Sequence, residues 1–283
     1  MKKMLFFLAI TILLLTLIGN LSASEKRITA FCGSASKPAI EEAATVFEQK
    51  AEIKVDLHFS GSGTMLSQMK MSRRGDLYIP GSPDYMVKAE KEGVVALNTK
   101  KIIAYLVIAI DVQKGNPKNI RTLADLARPG IKVGIGNPEA VCIGLYAVEV
   151  LERSGLLEGV QRNIITHAPS CSATASLLVM NKVDAIIGWR VFSKWNPHKI
   201  DAVLLKPDEL PRLAYIPAGI SAYSHDKVSA QRFVDFLTSP EGQKIFAKWG
   251  YIATEKEARK FAPKAGIGGE YRLPDDYKSL VTR

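Results

Sequence analysis

The chain has 283 residues, with 38 Lys and Arg against 28 Asp and Glu, three Cys and a formal charge of +10. That length is more than one small domain needs and leaves room for two lobes. The positive charges are scattered, with doublets at Lys26-Arg27, Arg73-Arg74 and Lys100-Lys101 and no basic stripe interleaved with aromatics, which argues against nucleic acid as a partner.

The chain opens on Lys2-Lys3, an almost wholly apolar run over residues 4–18, and small residues at Ser22-Ala23. This is the pattern of a secretory signal peptide, residues 1–23, removed on export. The run is short for a membrane span; a retained N-terminal anchor is the alternative. No later segment is long and apolar enough to cross a bilayer, so a soluble periplasmic or otherwise exported protein is expected.

A strand is expected near residues 27–31, then a helix from Pro38 with Ile40, Ala43, Ala44 and Phe47 on one face. Ile53, Val55, Leu57 and Phe59 alternate as a half-buried strand. A helix over 65–71, a short strand over 76–79 and a helix over 83–92, capped by Ser82 and stopped at Gly93, follow. An apolar, β-branched run over 103–111 continues the chain. Helices are expected over 122–127, 144–154 and 172–181, and strands over 132–135, 183–188 and 203–205. The strand over 214–222 returns to the first lobe, and helices over 226–237 and 240–249 close it, with Pro240 suiting a helix start. The tail from residue 253 mixes charge, Gly and Pro and is expected to wrap the surface. Strand–helix alternation of this kind predicts an α/β fold. Residues 24–105 and 212–283 form the first lobe and 106–211 the second, with hinge crossings near Ala104 and Leu213.

Two turns share one design: Phe31-Cys32-Gly33-Ser34-Ala35-Ser36-Lys37-Pro38 and Phe59-Ser60-Gly61-Ser62-Gly63-Thr64. Each follows a strand and opens a helix, where the first backbone N–H groups lack partners and a partial positive charge gathers. Glycine and serine let an anion approach those groups, and serine adds an O–H donor. Neither turn contains Asp or Glu. Two such turns facing one another predict a neutral pocket for an oxyanion. A serine hydrolase built on Ser34 or Ser62 is disfavoured, because the Gly-x-Ser-x-Gly elbow is absent and His58, His167, His198 and His225 sit in no recognisable signature. A metal-ion receptor is a minor alternative, because Tyr85, Tyr105 and Tyr146 do not cluster in sequence. A binding protein without cofactor, rather than an enzyme, is expected. In an oxidising compartment, Cys32, Cys142 and Cys171 suggest one disulfide and one leftover thiol.

The sequence resembles the molybdate-binding proteins of bacterial ABC importers. The resemblance rests on the two serine turns, Gly75-Asp76, Ser82-Pro83-Asp84-Tyr85-Met86, Gly136-Asn137-Pro138-Glu139 before Gly144-Leu145-Tyr146-Ala147, Val183-Asp184-Ala185 and Ser239-Pro240-Glu241-Gly242, all in the family's order. It implies a two-lobed periplasmic-binding-protein fold of type II. It also implies a tetrahedral oxyanion, molybdate or tungstate first and sulfate as an alternative, held between the lobes by a monomer that delivers it to a membrane permease. Ser62 falls on the family's second binding serine. The first aligns close to Ala35, so Ser34 or Ser36 supplies that hydroxyl. Backbone donors fall near Ile143 and Ser172, and the family's tyrosine falls on Trp189, whose indole N–H donates in its place. Cys142 and Cys171 precede the two second-lobe donor segments, which the family brings together, so a disulfide between them is implied. Arg190 is expected at the surface.

Overall fold

The computed structural model describes residues 25–277. The expected signal peptide, residues 1–23, lies outside the described residues. Among the described residues no helix is long and apolar enough to cross a membrane.

The elements run in two stretches. First come β1 (Lys26–Gly33), a 3₁₀ turn (Ser34–Ser36), α1 (Lys37–Ala51), β2 (Ile53–Ser60), α2 (Ser62–Ser72), β3 (Leu77–Ile79), α3 (Pro83–Lys91) and β4 (Lys101–Leu106). Then follow β5 (Ile108–Gln113), β6 (Val133–Gly136), α4 (Cys142–Arg153), α5 (Leu157–Gln161), β7 (Ile164–Ala168), α6 (Cys171–Val179), β8 (Ala185–Trp189), α7 (Phe192–Trp195) and β9 (Ile200–Leu204). The chain returns through β10 (Arg212–Ile220), α8 (Lys227–Thr238), α9 (Pro240–Lys248), α10 (Glu255–Ala258) and β11 (Gly266–Ile267).

These strands form two sheets. The first has the order β11-β10-β3-β1-β2, with β4 also paired to β10; the second has the order β7-β6-β8-β5-β9. β1 runs parallel to β2 and β3, while β10 is antiparallel to β3. In the second sheet β6 is parallel to β7 and β8, and β5 is antiparallel to β8 and β9. The apolar run over 103–111 is therefore two strands in two sheets, joined through Val107 alone. The strand ends that meet at Val107 are both buried and apolar, so no polar or turn residue marks the break.

Helix α1 buries Ala39, Ile40, Ala43, Ala44 and Phe47, and the Phe47 ring tilts onto Phe233 of α8 at 5.0 Å. Full burial of a side chain of that size contributes about 1.5–3 kcal/mol. Ser239 caps α9 by accepting from Gly242 N–H, and Pro240 opens the helix. Ser82 does not cap α3: its hydroxyl is buried without a hydrogen-bond partner. The stretch 122–127 is largely 3₁₀ rather than α, closed by a capping box between Thr122 and Asp125.

One buried ionic cluster joins elements of both sheets. Arg212, at the start of β10, donates from Nε to Glu149 of α4 at 2.7 Å and from Nη2 to Asp84 of α3 at 2.8 Å. Its Nη1 donates to the Gly269 carbonyl at 2.8 Å, and its guanidinium lies 4.0 Å from the Tyr146 ring centroid. Burial opposes the Arg212 charge, yet Tyr146, Asp84 and Glu149 together raise its pKa. Burial pushes the Glu149 carboxyl up even against the pull of Arg212.

Candidate functional site

Five helical starts meet at one place between the two sheets. Three belong to the first sheet's elements: the Ser34–Ser36 turn, the start of α2 at Ser62, and Gly81-Ser82 before α3. Two belong to the second: the start of α4 at Cys142 and of α6 at Cys171.

The approach is close enough to be set by glycine. A Cβ on Gly33 would lie 2.5 Å from Ser62 Oγ and 2.6 Å from Gly81 N. A Cβ on Gly81 would lie 2.6 Å from Ala35 Cβ and 2.7 Å from Cys142 Sγ.

Ser34, Ser36 and Ser62 are all buried, but their hydroxyls do different things. Ser34 Oγ accepts from the backbone N–H of Ser172 at 3.1 Å, a bond that crosses between the two sheets' elements. Ser62 Oγ accepts from Gly81 N–H at 3.0 Å, and Ser62 C=O accepts from Tyr78 Oη at 2.8 Å. Gly63 N–H donates across to Ala140 C=O at 2.9 Å. Ser36 turns back on its own loop and donates to Gly33 C=O at 3.3 Å. Tyr251 Oη anchors the same loop by donating to Ala35 C=O at 2.6 Å.

Ile143 follows Cys142 in the first turn of α4, where backbone N–H groups have no carbonyl of their own helix to meet. Trp189, at the end of β8, is fully buried, and its Nε1–H has no hydrogen-bond partner. The indole and the Ser62 hydroxyl stand beside the Cys142 thiol and pull its pKa down, but burial and Cys171 push it up and prevail. Tyr146 meets Trp189 edge-on at 5.2 Å.

Cys142 and Cys171 are brought together but not bonded. Their sulfurs are 3.3 Å apart, all three cysteines are free, and the expected disulfide is not formed. A disulfide needs about 2.05 Å between sulfurs. Each thiol instead opens its helix and lines the gap.

Arg190 is not at the surface as expected. It is half-buried, its Nη2 donates to Gly250 C=O at 2.6 Å, and its guanidinium lies over Phe261. His58 stacks on Phe31 at 5.2 Å. Among the described residues no three His, Cys, Asp or Glu side chains gather as metal ligands would.

The structure thus brings Ser34, Ser62, Cys142, Ser172 and Trp189 into one cluster, with Ile143 in its adjoining helical turn. Sequence reading missed Gly81 and the Cys142 sulfur. The signal for Gly81 was Gly81-Ser82-Pro83, a third small-residue turn opening a helix. The two serine turns and the starts of α4 and α6 carry no acidic residue, while Asp84, in the first turn of α3, is engaged together with Glu149 by Arg212.

Residues 28–252 match the family model described as bacterial extracellular solute-binding protein. The chain belongs to that family. As a solute-binding protein it is a divergent relative of the molybdate binders. It is 24% identical over 256 residues to the molybdate-binding protein ModA of Escherichia coli, covering 88% of this chain and 98% of that one. The periplasmic molybdate-binding protein of Azotobacter vinelandii shares the fold with a TM-score of 0.72 at 17% identity, covering 81% of this chain and 100% of that one. The sulfate-binding protein SubI of Mycobacterium tuberculosis shares it with a TM-score of 0.70 at 19% identity, covering 86% and 93%. The two-sheet architecture of this solute-binding protein is the two-lobed type II fold.

Proposed function

We propose that this solute-binding protein is exported, holds a tetrahedral oxyanion between its lobes, molybdate or tungstate first, and delivers it to a membrane permease without chemical change. The observation that carries the reading is the meeting of five helical starts, with the Ser34 and Ser62 hydroxyls and the Trp189 indole among them and the carboxylate in their first turns, Asp84, neutralised by Arg212. Helix N-termini offer unpaired N–H groups and partial positive charge, which suits an anion. Donors alone suit a fully deprotonated dianion. Phosphate near neutral pH carries a proton that needs an acceptor, and a donor facing donors costs about 1–3 kcal/mol. Sulfate meets the same electronic requirement, and the likeness to a sulfate-binding fold keeps it as the second reading.

The test is calorimetry and thermal unfolding with molybdate, tungstate, sulfate and phosphate. Molybdate or tungstate is expected to bind, and phosphate to bind at least about tenfold more weakly. A ligand at a hundred times its Kd stabilises by about 2.7 kcal/mol. No heat and no thermal shift with any of the four would overturn the reading.

Single substitutions then assign the donors. Ser62→Ala is expected to weaken molybdate binding by about 1–2 kcal/mol, the loss of one charge-assisted hydrogen bond. Trp189→Phe removes a buried indole N–H whose neighbour in the gap is the Cys142 thiol, and about a fivefold loss is expected. An unchanged Kd in either variant would remove that residue from the ligand's surroundings.

A further inference from the structure

The family match ends at residue 252, yet the described chain continues to residue 277 and does more than cover the surface. It begins at an edge of the first sheet, where β11 pairs with Arg212 and Leu213 of β10 and Gly268 N–H donates to Leu213 C=O at 2.8 Å. Tyr271 N–H then donates to Asp84 of α3 at 3.1 Å, while its hydroxyl donates to Glu152 of α4. Farther on, Tyr277 Oη meets Nε2 of His167 at 3.3 Å, on β7 at an edge of the second sheet. Leu273, Tyr271 and Tyr277 are half-buried against the core.

The segment therefore runs from one sheet's edge to the other's, crossing α3 and α4, two of the helices whose starts form the candidate site. Around it lies a groove of about 800 Å³ that Asp84, Tyr85 and Lys88 line on one side and Pro138, Glu139 and Leu145 on the other. Arg212 fastens its near end through the Gly269 carbonyl.

The geometry points to residues 268–277 as a strap that holds the two lobes closed. Tyr271 and Tyr277 are its far-side fasteners, each giving a hydrogen bond that exists only while the lobes stay together. Opening the cleft parts Tyr271 from Glu152 and Tyr277 from His167, since both partners move away with the second lobe while β11 stays on the first. The strap lowers the population of open protein and slows the exit of whatever the cleft holds. It rests on the proposed function only for what is released.

The test compares the full chain with Tyr271→Phe/Tyr277→Phe, which removes both hydroxyls and keeps both rings, and with a chain ending at Ile267. Two readouts are taken: the radius of gyration without ligand by small-angle X-ray scattering, and the rate of molybdate release by stopped-flow tryptophan fluorescence. The double variant is expected to show a larger radius without ligand and about tenfold faster release, as two lost hydrogen bonds imply; truncation is expected to do so more strongly. A radius without ligand the same as that of the full chain in both variants would overturn the strap. If molybdate fails to bind even the full chain, the scattering comparison still decides the strap, and only the ligand reading falls.

Discussion

Arg212→Met is expected to lower the unfolding free energy by about 3–5 kcal/mol, measured from urea denaturation at pH 7. Arg212 is buried among Asp84, Glu149 and the Gly269 carbonyl, and methionine fills comparable length with no charge. The loss comes less from the ion pairs themselves than from Asp84 left buried without a counter-charge and Glu149 left with the exposed Arg153 alone. The sign of the pH dependence follows. Burial already raises the Glu149 pKa above its ordinary 4.5, and without Arg212 it rises further. The folded variant then holds a proton that the unfolded chain releases, so its stability is greatest below about pH 4.5 and is lost as pH rises through the raised folded pKa. The deficit against the parent chain is expected to shrink when both are measured nearer pH 5. A variant as stable as the parent at pH 7 would show that the cluster is neutral in the fold.

Gly61→Ala is expected to weaken molybdate binding on the order of a hundredfold while leaving the fold intact. Gly61 has φ −61° and ψ 145°, which any residue adopts, so alanine brings no backbone strain. The new Cβ would stand 2.7 Å from Ala140 C=O, 2.9 Å from Pro169 C=O and 3.1 Å from Val141 Cγ2. All three belong to the second lobe, and two are backbone carbonyls that cannot rotate aside. The clash arises only on closure. The unfolding midpoint is expected to hold or rise slightly, because alanine narrows the unfolded ensemble. Molybdate affinity equal to the parent's would mean that the lobes bind ligand without approaching as closely as they do here.

The fold was largely legible because both period-2 strands and helical faces stand out locally. Ile53, Val55, Leu57 and Phe59 marked β2, and Ile40, Ala43, Ala44 and Phe47 marked α1. What escaped depends on contacts distant in sequence. β7 is five residues whose burial does not alternate, and the break at Val107 is invisible because the strand ends beside it are equally apolar. Arg212 does not stand out in the sequence, because its burial needs partners 63 and 128 positions away. In the site, the two serine turns were readable because each repeats the same chemistry at a strand-to-helix junction. The division of labour between Ser34 and Ser36 was not, since only the second lobe's Ser172 N–H distinguishes them. The cysteine pair was rightly brought close, but proximity of two helix starts does not decide whether sulfur bonds to sulfur.

The neutral make-up of the gap has a consequence for how such a receptor meets acidity. Backbone amides, serine hydroxyls and an indole neither take up nor lose protons near neutrality, and burial pushes the Cys142 thiol up, away from that range. A pocket of this kind stays electrically constant while its surroundings acidify. Any change of uptake with pH then reports the acid–base chemistry of the cargo, whose protonated forms fit poorly because the serine oxygens already accept from Ser172 and Gly81 N–H groups.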